Sequence, residues 1–134
     1  MNDDILKKVK SILLRQISDD YTDISYMGIL ESEVQTLNGN QESLKQYALK
    51  ALGDLLEESK IRVGNLRNDG TTFLRYWDME SGEIIKRLNS EWINYFGPNH
   101  WKYDEVPIFD LTEEYAKQIG KYESDKEKFK KEIL

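Results

Sequence analysis

Leu44-Lys45-Gln46-Tyr47-Ala48-Leu49-Lys50-Ala51-Leu52-Gly53-Asp54-Leu55-Leu56-Glu57-Glu58-Ser59-Lys60-Ile61-Arg62-Val63-Gly64 holds the point at which the chain changes period. Leu44, Tyr47, Ala48, Ala51, Leu52, Leu55 and Leu56 recur every three or four residues, the spacing of an amphipathic helix with one apolar face. Asn38-Gly39-Asn40 supplies a turn and a cap before it. After Ser59 the period becomes two: Ile61 and Val63 alternate with Arg62 and Gly64, and a second extended run, Thr71 to Tyr76, follows across Asn68-Asp69-Gly70. An Asp-Gly pair tolerates the positive φ of a tight turn, so residues 60 to 76 are predicted to form a β-hairpin. A strong helix running into a hairpin makes the fold α+β, with four to five helices around a small antiparallel sheet.

Working outward, Ile5, Leu6, Val9, Ile12, Leu13 and Ile17 mark a first helix with Asn2 or Asp3 as N-cap, its lysines Lys7, Lys8 and Lys10 facing solvent. Tyr21, Ile24, Met27, Leu30, Val34 and Leu37 step by three or four and predict a second helix, although Ser25 to Leu30 also reads as a short strand. Asp78 is expected to cap a fourth helix with Ile84, Ile85, Leu88, Trp92 and Phe96 inside, stopped by Gly97-Pro98. At its inner-face position Trp92 is predicted to be core. Val106 to Phe109 is a short extended segment that Pro107 should confine to a sheet edge. Asp110 and Glu113 resemble a capping box for a last helix through Tyr115, Ile119, Tyr122, Phe129 and Ile133, and its charged end, residues 123 to 134, is expected to fray.

The 134 residues suit one domain, with no repeat or linker. There is no Cys, hence no disulfide and no thiolate site, a pattern consistent with the cytosol. Met1-Asn2-Asp3-Asp4 lacks the basic start of an export signal, and the longest apolar run, Ile12 to Leu14, is far below the roughly 20 residues of a membrane span. His100 is the only histidine, which removes any two-histidine metal motif, and no metal or other cofactor is expected. Glu57-Glu58 and Glu113-Glu114 are neighbours on helices, so their side chains diverge by about 100° and read as surface charges, not a proton-sharing dyad. No nucleophile elbow or phosphate loop occurs, and the chain reads as a non-enzyme.

Charge is more informative. The net charge is -6, and the acids are concentrated: residues 21 to 59 carry seven acids against two bases, and residues 77 to 114 nine against three. Between them the hairpin carries Lys60, Arg62, Arg67 and Arg75 against Asp69 alone. Those cations either pair with acids on neighbouring elements or form a basic wing. Three helices before a hairpin is the order of a winged helix, so a DNA-binding regulator is the alternative reading. Glu42, Asp54, Glu57 and Glu58 on the would-be recognition helix oppose phosphate and make nucleic acid a poor partner.

The run Ala48 to Gly64 with its Leu55-Leu56-Glu57-Glu58 turn, Tyr76-Trp77-Asp78, Glu91-Trp92 and the loop from Trp101 to Phe109 resemble small bacterial proteins of largely unassigned function, some of them encoded beside toxins of polymorphic and contact-dependent inhibition systems. The resemblance covers about residues 40 to 115. It departs where Ser59 stands for a glycine turn and where the loop after Pro98 is unusually aromatic. It implies a cytosolic immunity protein that blocks a toxin without catalysis. A basic toxin cleft would gain on-rate from an acidic partner. Trp101 and Tyr103 are expected aromatic anchors, and Asp104, Glu105 and Asp110 expected acidic contacts, in or beside a loop held by the helix stop at Gly97-Pro98. The residues do not fix an oligomeric state.

Overall fold

Asn40 opens the central helix as expected, its side-chain oxygen accepting from the Ser43 amide at 3.1 Å after Gly39 turns the chain at φ +76°. The computed structural model describes residues 1–20, 22–66, 74–92 and 106–120. Their helices are α1 (Asp3–Asp19), α2 (Ile29–Glu33), α3 (Gln41–Glu57), α4 (Ser81–Glu91) and α5 (Glu113–Gln118). Their strands are β1 (Thr22–Asp23), β2 (Ile61–Leu66), β3 (Leu74–Tyr76) and β4 (Ile108–Leu111). The strands form one antiparallel sheet in the order β1-β4-β2-β3, and the fold is α+β. No helix among the described residues is long and apolar enough to cross a membrane.

The end of α3 decides how helix and sheet meet. Ser59 adopts φ +58°, the left-handed region. Its amide donates to the Leu56 carbonyl at 3.1 Å and that of Lys60 to Leu55 at 3.0 Å, the pair of bonds that closes a helix when its next residue turns left-handed. The turn then receives the C-terminal segment: Thr112 donates its hydroxyl to the Ser59 carbonyl at 2.6 Å and its amide to the Lys60 carbonyl at 3.0 Å. From there β2 and β4 run in register, Ile61 opposite Leu111 and Val63 opposite Phe109. These four side chains face the core, where Phe109 is fully buried, and α1 packs on β4 while α3 packs against both α1 and α4.

The hairpin strands pair as expected, Gly64 opposite Tyr76 and Leu66 opposite Leu74, while the Asn68-Asp69-Gly70 turn lies outside the described residues. A Cβ on Gly64 would lie 2.6 Å from the Arg75 carbonyl oxygen, so this strand position requires glycine. Trp77 then ties the edge of the sheet to α4. Its indole nitrogen donates to Asn65 Oδ1 at 2.6 Å, and the Arg87 guanidinium lies 3.8 Å from its ring centroid.

Five expectations are corrected. The predicted second helix is broken: a 3₁₀ turn covers Ile24–Gly28, α2 lasts five residues, and another 3₁₀ turn covers Gln35–Leu37. Its apolar residues Ile24, Met27, Leu30, Val34 and Leu37 are nonetheless all buried, because tight turns of about three residues bring every third side chain inward. β4 is an interior strand, not an edge. Pro107 precedes it, so the missing amide interrupts no ladder bond, and its carbonyl accepts from the Ile24 amide at 3.0 Å. The cap of α4 is Glu80, since the Trp77 amide is held by the Val63 carbonyl at 3.0 Å and the chain needs the next residues to leave the sheet. Thr112, not Asp110, caps α5, accepting from the Tyr115 amide at 3.2 Å. Finally, α5 ends at Gln118, and Gly120 follows at φ +84°, so no helix continues through it.

Of the expected core, Trp92 is half-buried and packs against the rim of the cluster. Phe96 and the Gly97-Pro98 stop, like Tyr122, Phe129, Ile133 and the charged end at 123 to 134, lie outside the described residues. Asn2 is the N-cap of α1, accepting from the Asp4 and Ile5 amides.

A left-handed residue with a Cβ carries a conformational penalty that glycine does not. Ser59→Gly is expected to stabilise the protein by about 0.5 to 1 kcal/mol, raising the urea midpoint without changing its slope.

Candidate functional site

Asp110 sits on the central strand directly opposite Arg62 of β2. Alternation puts both on the sheet face away from Val63 and Phe109, and Tyr76, opposite Gly64, joins them there. Asp110 is only 5% exposed. Its Oδ1 accepts from the Leu111 amide at 2.9 Å, and Oδ2 accepts the Tyr76 hydroxyl at 3.3 Å and lies 3.6 Å from Arg62 Nη2. The guanidinium stacks over the Tyr76 ring, 4.0 Å from its centroid, while its Nε and Nη2 are buried without a hydrogen bond. Burial, then the Asp110 charge, pushes the Tyr76 phenol well above its ordinary range, so it stays protonated and donates. A carboxylate so placed is matched inside the fold and presents little charge to a partner.

A second network surrounds the end of α3. Lys10 donates to Glu58 at 2.8 Å and lies 3.8 Å from Asp54; Lys50 reaches Asp54 at 3.1 Å and Lys60 reaches Glu58 at 3.2 Å. Lys10, expected on the solvent face of α1 with Lys7 and Lys8, is thus drawn into a pair that fastens α1 to α3. The hydrogen bond from Lys10 lowers the Glu58 carboxyl and the same bond raises the Lys10 ammonium, each against a smaller opposing effect of burial.

Of the basic ridge, Lys60 and Arg62 are therefore engaged with acids, Arg75 is exposed, and Arg67 lies outside the described residues. The acids beside the ridge differ. Among the described residues, Asp78, Glu80 and Glu83 around the start of α4 are exposed and form no ion pair, and Glu57 in the last turn of α3 meets only the Ser81 hydroxyl at 3.4 Å. Glu57 is exposed, as expected of a surface charge. The signal that singles it out is its place at a helix C-terminus, where the dipole disfavours an anion and no base stands in the last turn.

Of the residues expected to bind, Trp101, Tyr103, Asp104 and Glu105 lie outside the described residues, as does His100. Among the described residues no three His, Cys, Asp or Glu side chains are grouped to hold a metal ion. Comparison with protein-family models, with curated proteins and with solved structures finds no match to the chain.

Removing one member of a buried charge pair strands the other. Asp110→Ala is expected to cost about 3 kcal/mol by leaving Arg62 uncompensated, whereas Arg62→Met with Asp110→Leu should recover most of that loss in urea unfolding. Because the Glu58 carboxyl is held below its usual value, its contribution is present above about pH 4.5 and disappears as pH falls through the folded-state value. Glu58→Gln should therefore lower Tm at pH 7, by an amount equivalent to at most about 1 kcal/mol, and leave Tm unchanged near pH 2.

Proposed function

We infer that this chain is a non-enzymatic binding protein, and specifically a cytosolic immunity protein that neutralises a basic toxin domain by covering it with an acidic surface. The observation that carries the reading is how the charges are matched. Lys60 and Arg62 of the ridge are engaged by acids of the same fold, while Glu57, Asp78, Glu80 and Glu83 remain unmatched by any cation among the described residues. These four carboxylates outnumber Arg75, the exposed cation of the ridge among the described residues, and a net negative surface speeds encounter with a basic partner and repels nucleic acid. The resemblance supplies the kind of partner, and the loop residues Trp101, Tyr103, Asp104 and Glu105 supply further aromatic and acidic contacts in this reading. A winged-helix regulator would instead need Lys60 and Arg62 free to reach phosphate.

Co-expression with the product of the reading frame beside its gene tests the proposal. Growth arrested by that product should be restored, and the purified pair should associate at least tenfold more slowly at 0.5 M than at 0.05 M salt. Asp104→Lys with Glu105→Lys should slow association further without lowering Tm. No protection, together with micromolar and salt-sensitive binding of a defined DNA duplex, would replace this reading with the regulator.

A further inference from the structure

An open groove runs between α3 and α4, in two lobes of about 280 and 490 Å³ that share Leu49, Gly82 and Ile85 in their lining. The helices lie antiparallel, with Glu57 near Ser81 at one end and Gln46 near Asn89 at the other. Gly53 allows the close approach on the α3 side, since a Cβ there would lie 3.3 Å from Ile85 Cγ1. Gly82 has no such reason. A Cβ built on it meets nothing within 4 Å, and glycine weakens a helix relative to alanine. Glu57 likewise breaks a local rule, an anion at a helix C-terminus beside which Asp54 and Glu58 have lysines and Glu57 has none. Two unfavourable choices at one groove, neither compensated within the described residues, mark a place where sequence departs from stability.

We propose that this groove seats an amphipathic, Lys- or Arg-bearing helical segment of the protein partner, with an aliphatic side chain over Leu49 and Ile85, its backbone close to Gly82, and its cation beside Glu57. The proposal rests on the reading of the chain as a binder of a basic protein and names where that partner docks. The groove is open along its length, which suits a chain segment better than an enclosed small molecule. Charge sets the sign of the occupant at one end: Lys50, on the rim, is already paired to Asp54, so the free charge at the α4 start is anionic through Glu57, with Glu80 and Glu83 nearby, whereas Met1 and Lys86 line the other lobe, and the occupant's cation therefore belongs at the Glu57 end. The cation supplied there would also relieve the unfavourable interaction of Glu57 with the α3 dipole.

The probe is a fluorescein-labelled 15-residue helical peptide with leucines four residues apart flanked by arginines, and a control with glutamates for the arginines. Fluorescence anisotropy with the full chain should show saturable binding of the arginine peptide and none of the control. Gly82→Phe, which grows a ring into the groove from a position with no neighbour to displace, and Glu57→Lys, on the surface, should each weaken binding at least tenfold with Tm retained. Affinity unchanged in both variants, or no binding to the unmutated chain, overturns the proposal. So would a concentration-dependent dimer of the chain alone that Gly82→Phe abolishes, which would assign the groove to a second copy. The growth assay separates the two readings: protection that survives both substitutions removes the groove and leaves the immunity function, whereas peptide binding without any protection removes the immunity function and leaves the groove.

Discussion

The turn from Glu58 to Lys60 sets the geometry of much of the rest. It ends α3, starts β2, and offers two carbonyls to Thr112, so the same few atoms fix the strand register and the start of α5. Register matters because a slip of β4 by one residue along β2 would carry Phe109 to the outer face and bring Asp110 into the core, away from Arg62. Burying that carboxylate unpaired among Leu13, Leu52 and Leu55 would be far more costly than leaving it on the opposite face beside Arg62 and Tyr76. The hydrogen bonds of the turn and the polarity of the strand faces therefore enforce one alignment.

The same region shows how charge is partitioned. Asp54, Glu57 and Glu58 crowd the end of one helix, an arrangement that repels itself and the helix dipole. Lys10 from α1, Lys50 from the preceding turn and Lys60 from β2 converge on two of the three. These contacts clamp α1 onto α3 and leave the third carboxylate, Glu57, turned toward α4, where Ser81 offers only a neutral hydroxyl.

Much of the architecture was legible where a periodic signal extended over enough residues. Helix α3 carries apolar positions over several turns, and the change of period after Ser59 announces the hairpin. In the segment from Ile24 to Leu37 a step of three or four suggests one helix, although its mean step of about 3.2 lies nearer the 3₁₀ period than 3.6. Pro107 suggests a sheet edge, although Ile108-Phe109-Asp110-Leu111 reads as a strand buried on both faces, and the proline stands just before it. Asp110 was visible as an acid, but its burial depends on Arg62 and Tyr76, which lie 48 and 34 residues away in sequence and meet it only through pairing. The groove was out of reach for the same reason. Nothing local relates Glu57 and Gly53 to Gly82.

β4 is the last strand in the chain yet lies between the first and the second. A polypeptide emerging from the ribosome therefore displays α1, α3 and the hairpin well before it can complete the sheet, and for that interval the backbone donors and acceptors of β2 that face β4 lack their native partners. Joining Thr22 to Phe109 closes a loop of more than eighty residues, an entropically slow step. A truncation before Ile108 would leave an exposed strand edge on β2 prone to intermolecular pairing.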